Sequence, residues 1–152
     1  MTIYGVRRRV ACYVTRATLG TAELLVFDHL DDDPTDPSGT QIPAGGMTPF
    51  EALADAALRE VREETGVDGL RFVGQVGAVE LGLDEPGGPS MTTYVQLSMA
   101  DSEANTGPAE WDHTVTGDGG DAGLVFRCRW APLPLTLELA GGQGQFLAAI
   151  TG

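Results

Sequence analysis

The sequence predicts an α+β fold: a single domain over residues 1–152, with a mixed β-sheet covered by helix. Three observations lead there. Several runs repeat apolar residues at a period of two, as half-buried strands do. One stretch, Phe50 to Thr65, repeats them at helical period and is closed by Gly66 in a C-cap position. The chain has 152 residues, 42% of them apolar, enough for one substantial core and too few for two full domains.

The first strand is read from Val10, Cys12 and Val14 alternating with Ala11, Tyr13 and Thr15. "ELLVFDH" follows after the turn residues of "TLGT", so the two runs form a hairpin. "LDDDPTDPSGT" is acidic and broken by Pro34 and Pro37, a solvated loop without the Asp spacing of a calcium loop. "QIPAGG" supplies a short strand and a glycine turn leading into the helix. "LRFVGQVGAVEL" and "MTTYVQLSM" read as antiparallel neighbours, the second with Met91, Thr93, Val95, Leu97 and Met99 on one side. "WDHTV" and "LVFRCRW" pair around "TGDGGDAG", with Leu124, Phe126, Cys128 and Trp130 on one face. The end, "GGQGQFLAAIT", suits a short closing helix, and helices packed on strands complete a sandwich.

Nine basic and 22 acidic residues leave a formal charge of −13. Such a field repels phosphate backbones, which excludes duplex nucleic acid as a partner and makes any phosphorylated substrate depend on a divalent cation. Cys12 and Cys128 lie in apolar runs with no Cys-x-x-Cys or Cys-x-x-His spacing, and read as buried free thiols. No signal peptide or membrane span is present, so a reducing, cytoplasmic setting is the default expectation. Arg7, Arg8 and Arg9, leading into a strand, are read first as solubility charges and second as contacts to an anionic ligand.

On a helical wheel, Leu53, Ala54, Ala57, Leu58 and Val61 cover an arc of roughly 140°. Beside them Glu60, Glu63 and Glu64 span about another 100°, with Ala56 among them. At i, i+3 and i+4 these carboxylates repel one another by a few tenths of a kcal/mol per pair. Surface pairing of Arg59 with Glu63 is the ordinary account of such a helix. Converging carboxylates can also share one or two divalent ions, whose charge turns repulsion into coordination, and an all-oxygen set suits magnesium.

From Gly45 the chain reads "GGMTPFEALADAALREVREETGV". This resembles, at every fixed position, the Nudix box of the MutT-like hydrolases, G-x5-E-x7-R-E-U-x-E-E-x-G-U with U a bulky aliphatic residue. The matching residues are Gly45, Glu51, Arg59, Glu60, Val61, Glu63, Glu64, Gly66 and Val67. A chance match is on the order of 10⁻⁹ per window at ordinary residue frequencies.

The resemblance implies the family's α/β/α sandwich with the box on a loop-helix-loop. It implies an enzyme that hydrolyses a phosphoanhydride in a nucleoside diphosphate linked to another moiety, with Mg²⁺ or Mn²⁺ as cofactor. Glu60, Glu63 and Glu64 would bind the metal, joined by the Gly45 carbonyl, while Glu51 and Arg59 would brace the loop against the helix. The family draws its general base from the box helix or from another loop, which leaves Glu60 and Glu63 inside the box and Glu80, Glu103 and Glu110 outside it. The alternative is a nucleotide-sensing or protein-binding module with weak turnover; the intact glutamates argue against it. The resemblance also allows a homodimer, although no exposed apolar stripe demands one.

Substrate signals downstream of the box are absent. ADP-ribose hydrolases typically have a proline where Gly82 or Leu83 stands, and dinucleoside polyphosphate hydrolases often have a tyrosine where Asp84 and Glu85 stand; the coenzyme A pattern is missing too. Phe50 takes a place where the family often has glycine, and reads as a hydrophobic staple under the helix start. Tyr94 and Trp111 read as core or half-buried aromatics rather than base-stacking ones. His29 and His113 read as hydrogen-bonded or surface residues rather than acids or bases.

Overall fold

The fold is known from a computed structural model, in which residues 6–18, 20–31, 34–35, 37–99 and 107–150 are described. Part of the acidic loop and Glu103 lie outside the described residues. Among the described residues seven strands and one α-helix follow in the order β1 (Arg7–Thr18), β2 (Thr21–His29), β3 (Ala44–Gly46), α1 (Leu53–Thr65), β4 (Leu70–Leu81), β5 (Ser90–Met99), β6 (Glu110–Thr114) and β7 (Val125–Pro132). One sheet runs β4-β5-β1-β2-β7-β6, and β3 adds to β1. β1 is parallel to β5 and antiparallel to β2 and β3, so the sheet is mixed. The three expected pairings, β1 with β2, β4 with β5 and β6 with β7, are all antiparallel.

β1 departs from the half-buried strand expected of it, since every residue from Val10 to Thr15 is buried. Val10, Cys12 and Val14 pack with Ala57, Val61, Val95, Leu97, Phe126 and Cys128 beneath α1. Ala11 and Tyr13 pack with Leu24, Val26, Tyr94 and Leu139 on the opposite face. Each large apolar side chain so buried contributes about 1.5–3 kcal/mol of transfer free energy. The alternation is real, but both of its phases meet a core. The second cover is the C-terminal segment, whose expected closing helix forms as two 3₁₀ turns, Ala140–Gly142 and Leu147–Ala149. Tyr13 ties it down, its hydroxyl donating to the Gln143 carbonyl and accepting from the Phe146 amide at 3.1 Å.

α1 begins at Leu53, three residues later than expected. A turn precedes it, closed by the Glu51 amide donating to the Thr48 carbonyl at 3.2 Å. Pro49 and a positive φ of 64° at Phe50 give this turn the type II signature. Phe50 is fully exposed, which removes the staple role expected for it. The helix ends as predicted, with Gly66 at φ 79° donating to Arg62. Its C-terminal end is clamped by β6: the Trp111 indole donates to the Thr65 carbonyl at 2.8 Å, and the His113 ring bonds the Glu63 carbonyl at 3.0 Å. Cys12 and Cys128 are buried and free. No helix among the described residues is long and apolar enough to cross a membrane.

Candidate active site

α1 packs over β1 with Ala56, Ala57 and Val61 inward, and this turns Glu60 and Glu64 inward beside them. Only 7% of Glu60 and 6% of Glu64 is exposed, whereas Glu63 is half-buried. The carboxylates were expected to edge the core; two of the three enter it. They face a cleft of about 480 Å³ whose other walls are β3, the loop to α1, Arg9 and the 115–121 segment after β6.

β3 is antiparallel to β1, with Val10 opposite Gly45. Cys12 donates to the Pro43 carbonyl and Met47 to the Arg8 carbonyl, each at 2.8 Å. Hydrogen-bonded pairs alternate along such a ladder, so Val10 and Gly45 form the next one and the Gly45 backbone turns toward β1. Ala44 and Gly46 turn the other way. Accordingly the Ala44 amide donates to Glu64 at 2.8 Å, and the Gly46 carbonyl accepts from Arg59 at 2.9 Å. The ladder therefore turns the Gly45 carbonyl toward β1 and the Ala44 carbonyl toward the carboxylates. Glycine is required at residue 45 because a Cβ would lie 2.2 Å from Glu60 Oε2.

Arg59 organises the rest. Its Nε and Nη2 donate to the two oxygens of Glu51, both at 2.8 Å, and its Nη1 reaches Glu60 at 2.9 Å and Glu63 at 3.3 Å. The Arg59 guanidinium, with help from Thr48, holds the Glu51 carboxyl down to about 2. Burial pushes Glu60 upward against the pull of Arg59. For Glu64 burial dominates, opposed by the Ala44 amide, and its pKa is pushed up to about 8. Glu51 is thus a firmly ionised anchor, while Glu60 and Glu64 are carboxylates that would need an added positive charge to ionise comfortably. Among the described residues no three His, Cys, Asp or Glu side chains stand ready as a metal cage; Arg59 occupies the carboxylates of Glu60 and Glu63 instead.

One feature escaped the sequence reading. Asp118 and Asp121 line the cleft from the β6–β7 loop, which the Thr116 amide pins to the Glu63 carbonyl at 3.1 Å. Gly117 makes the close approach possible: at φ 93° it lies where a Cβ would come 2.5 Å from the Glu63 carboxyl carbon. The glycines of "TGDGGDAG" were the available signal. Arg9 also lines the cleft, and its charge reaches Glu60 and Glu64. Glu80 and Glu110, considered as bases, are exposed and outside the cleft. Tyr94 lies in the lower core with Phe146 at 4.9 Å between ring centroids.

A NUDIX domain model matches residues 5–148, nearly the whole chain. The chain therefore belongs to the Nudix hydrolase family. No curated protein matches it by sequence. Its fold is similar to the NUDIX domain of Shewanella oneidensis NrtR, solved in complex with ADP ribose, at 17% identity and a TM-score of 0.63 over 97% of this chain and 87% of that one. A UDP-X diphosphatase is similar at 8% identity and a TM-score of 0.58, covering 99% of this chain and 60% of that one. A MutT/nudix family protein from Enterococcus faecalis is similar at 17% identity and a TM-score of 0.55, covering 87% and 46%. These likenesses, and the box helix set against a mixed sheet, agree with the α/β/α sandwich.

Proposed function

We propose that this chain hydrolyses a phosphoanhydride bond in a nucleoside diphosphate linked to another moiety, using a divalent cation, magnesium or manganese. The observation that carries the reading is the trio Glu60, Glu63 and Glu64 on one helix edge, two of them buried and pushed upward in pKa. Buried carboxylates are costly unless a cation shares the space, and an all-oxygen set suits a hard one. Glu60, Glu63 and Glu64 would hold it, with the Ala44 carbonyl, rather than that of Gly45, turned toward them. When bound there, the ion supplies charge withdrawal from phosphoryl oxygens and a water of lowered pKa.

The chain's own groups do the rest. Arg59, held by Glu51, fixes where Glu60 and Glu63 point, so the two are positioning residues acting through the glutamates. A proton leaving the attacking water has carboxylate acceptors at the cleft in Glu60 and Glu63 of the box and in Asp118 and Asp121 of the β6–β7 loop. Arg9 offers positive charge to the diphosphate where the glutamates would repel it.

The test is a panel of nucleoside diphosphate derivatives with magnesium, ADP-ribose first because the NrtR domain is described with it. Glu63→Gln should cost on the order of 10²-fold or more in rate, with the fold intact by circular dichroism. Equal product release by variant and wild type would sink the metal assignment. Saturable binding without turnover would make the chain a sensing module instead.

A further inference from the structure

The chain contains no lysine, and its nine basic residues are all arginines. Five of them have carboxylate partners: Arg16 with Glu23, Arg59 with Glu51, Glu60 and Glu63, Arg62 with Asp68, Arg127 with Asp112, and Arg129 with Asp28. Arg71 is held by the Ser98 hydroxyl at 3.0 Å. Among the described residues Arg7, Arg8 and Arg9 form no ion pair either; their one side-chain bond runs from Arg8 to the Met47 sulfur at 3.8 Å. In a chain of net charge −13, Arg7, Arg8 and Arg9 put three positive charges at one end of β1, on alternating faces of the strand.

At that end is a second cavity, of about 470 Å³, bordered by Arg7, Arg8, Arg9, Gly46 and Met47. Arg9, Gly46 and Met47 also border the carboxylate cleft, so the two spaces adjoin across the end of β3. β1 fixes the arginines on a rigid element: the Arg7 amide donates to the Pro89 carbonyl at 3.1 Å, and Arg7, Arg8 and Arg9 pair in register with Ser90, Met91 and Thr92 of β5. Guanidiniums held on a strand present several donors each to phosphate oxygens at small entropic cost.

We propose that Arg7, Arg8 and Arg9 form an anion subsite that holds a phosphate lying beyond the diphosphate seated at the carboxylate cleft, so that the preferred substrates carry three or more phosphates in a row. For its substrate this rests on the hydrolase reading above; for binding it rests on the arginines alone. Exposed arginines at a strand end serve solubility in many proteins, but a cavity that adjoins the carboxylate cleft sets these three apart.

Two measurements test it with the full chain. Dinucleoside polyphosphates with two and four phosphates are compared with magnesium, for wild type and the double variant Arg7→Gln/Arg8→Gln. The wild type should prefer the tetraphosphate by about tenfold or more in kcat/KM; the double variant should lose that preference through KM and leave the two-phosphate compound unchanged. Separately, inorganic tripolyphosphate binding is measured by calorimetry in metal-free buffer. It should weaken at least about tenfold in the double variant and persist in Glu63→Gln. Equal binding by wild type and double variant, or none by either, overturns the subsite. Binding as expected with no turnover of any dinucleotide overturns the hydrolase reading and leaves the subsite standing.

Discussion

A side chain at residue 45 cannot coexist with the Glu60 carboxylate where it now stands: a Cβ on Gly45 would lie 2.2 Å from Oε2 and 2.4 Å from Oε1. The backbone at Gly45 has no positive φ, so alanine is conformationally acceptable, and the nearest atoms it would meet are those of the Glu60 carboxylate. Because Glu60 is buried and tied to Arg59 at 2.9 Å, it must leave that bond to make room. Gly45→Ala should keep the fold and lower magnesium affinity and rate by about 10- to 100-fold. Isothermal titration with magnesium and a steady-state assay measure both; an unaffected rate would show that the Glu60 position is immaterial.

The raised pKa of Glu64 gives the metal-free protein a defined response to pH. Its ordinary value is 4.5 and its folded value about 8, so the folded state holds a proton that the unfolded state has lost across that interval. The contribution of Glu64 to stability is therefore full below about pH 4.5 and is lost as pH rises toward 8. Glu60, raised by the same burial, acts in the same direction. A bound cation reverses the preference by favouring the ionised forms. Melting curves at pH 5 and pH 8, with and without magnesium, should show a larger metal-dependent rise in Tm at pH 8. Glu64→Gln should flatten the metal-free decline. A magnesium effect independent of pH would contradict the account.

The box was legible because its chemistry is local. Glu60, Glu63 and Glu64 fall on one helix edge by spacing alone, and Glu51 and Arg59 lie within the same short segment. What the sequence concealed depends on contacts between distant segments. Asp118 and Asp121 reach the cleft only because β6 and β7 form a hairpin whose loop is pinned to Glu63 by Thr116. β1 read as half-buried because nothing in Val10 to Thr15 reveals that Leu139 and Tyr94 cover its second face. The early helix start had a different cause: Phe50 fits the apolar period, but its turn makes it the one non-glycine residue with positive φ among those described.

Glu51 supports the site without entering it as a ligand. Its carboxyl receives two bonds from Arg59 and two from Thr48, and is held down to about 2 from an ordinary 4.5. A depressed carboxylate stabilises the fold above about pH 4.5, and that contribution disappears as pH falls toward 2. Glu51→Gln should thus lower Tm at pH 7, with the deficit shrinking as pH is lowered below 4.5. Freed from Glu51, Arg59 holds Glu60 and Glu63 less well, so kcat should fall about 10- to 100-fold. Unchanged kcat together with the expected loss of stability would confine the pair to a folding role.

Phe50 carries a cost with no packing to offset it. It occupies the third position of the Thr48–Glu51 turn at φ 64° and is fully exposed. The left-handed region costs an L side chain on the order of 1 kcal/mol, and the type II turn favours glycine at this position. Phe50→Gly removes that strain but frees the unfolded chain, which takes back part of the gain. The balance should be a small stabilisation, about 0.5–1 kcal/mol or roughly 2 °C in Tm for a chain of this size. The turn also sets where Glu51 meets Arg59, so glycine should leave kcat near the wild-type value. A loss of Tm would show that the ring stabilises the folded state by contacts outside the described residues. A rise in KM with kcat unchanged would instead place the exposed ring against the substrate.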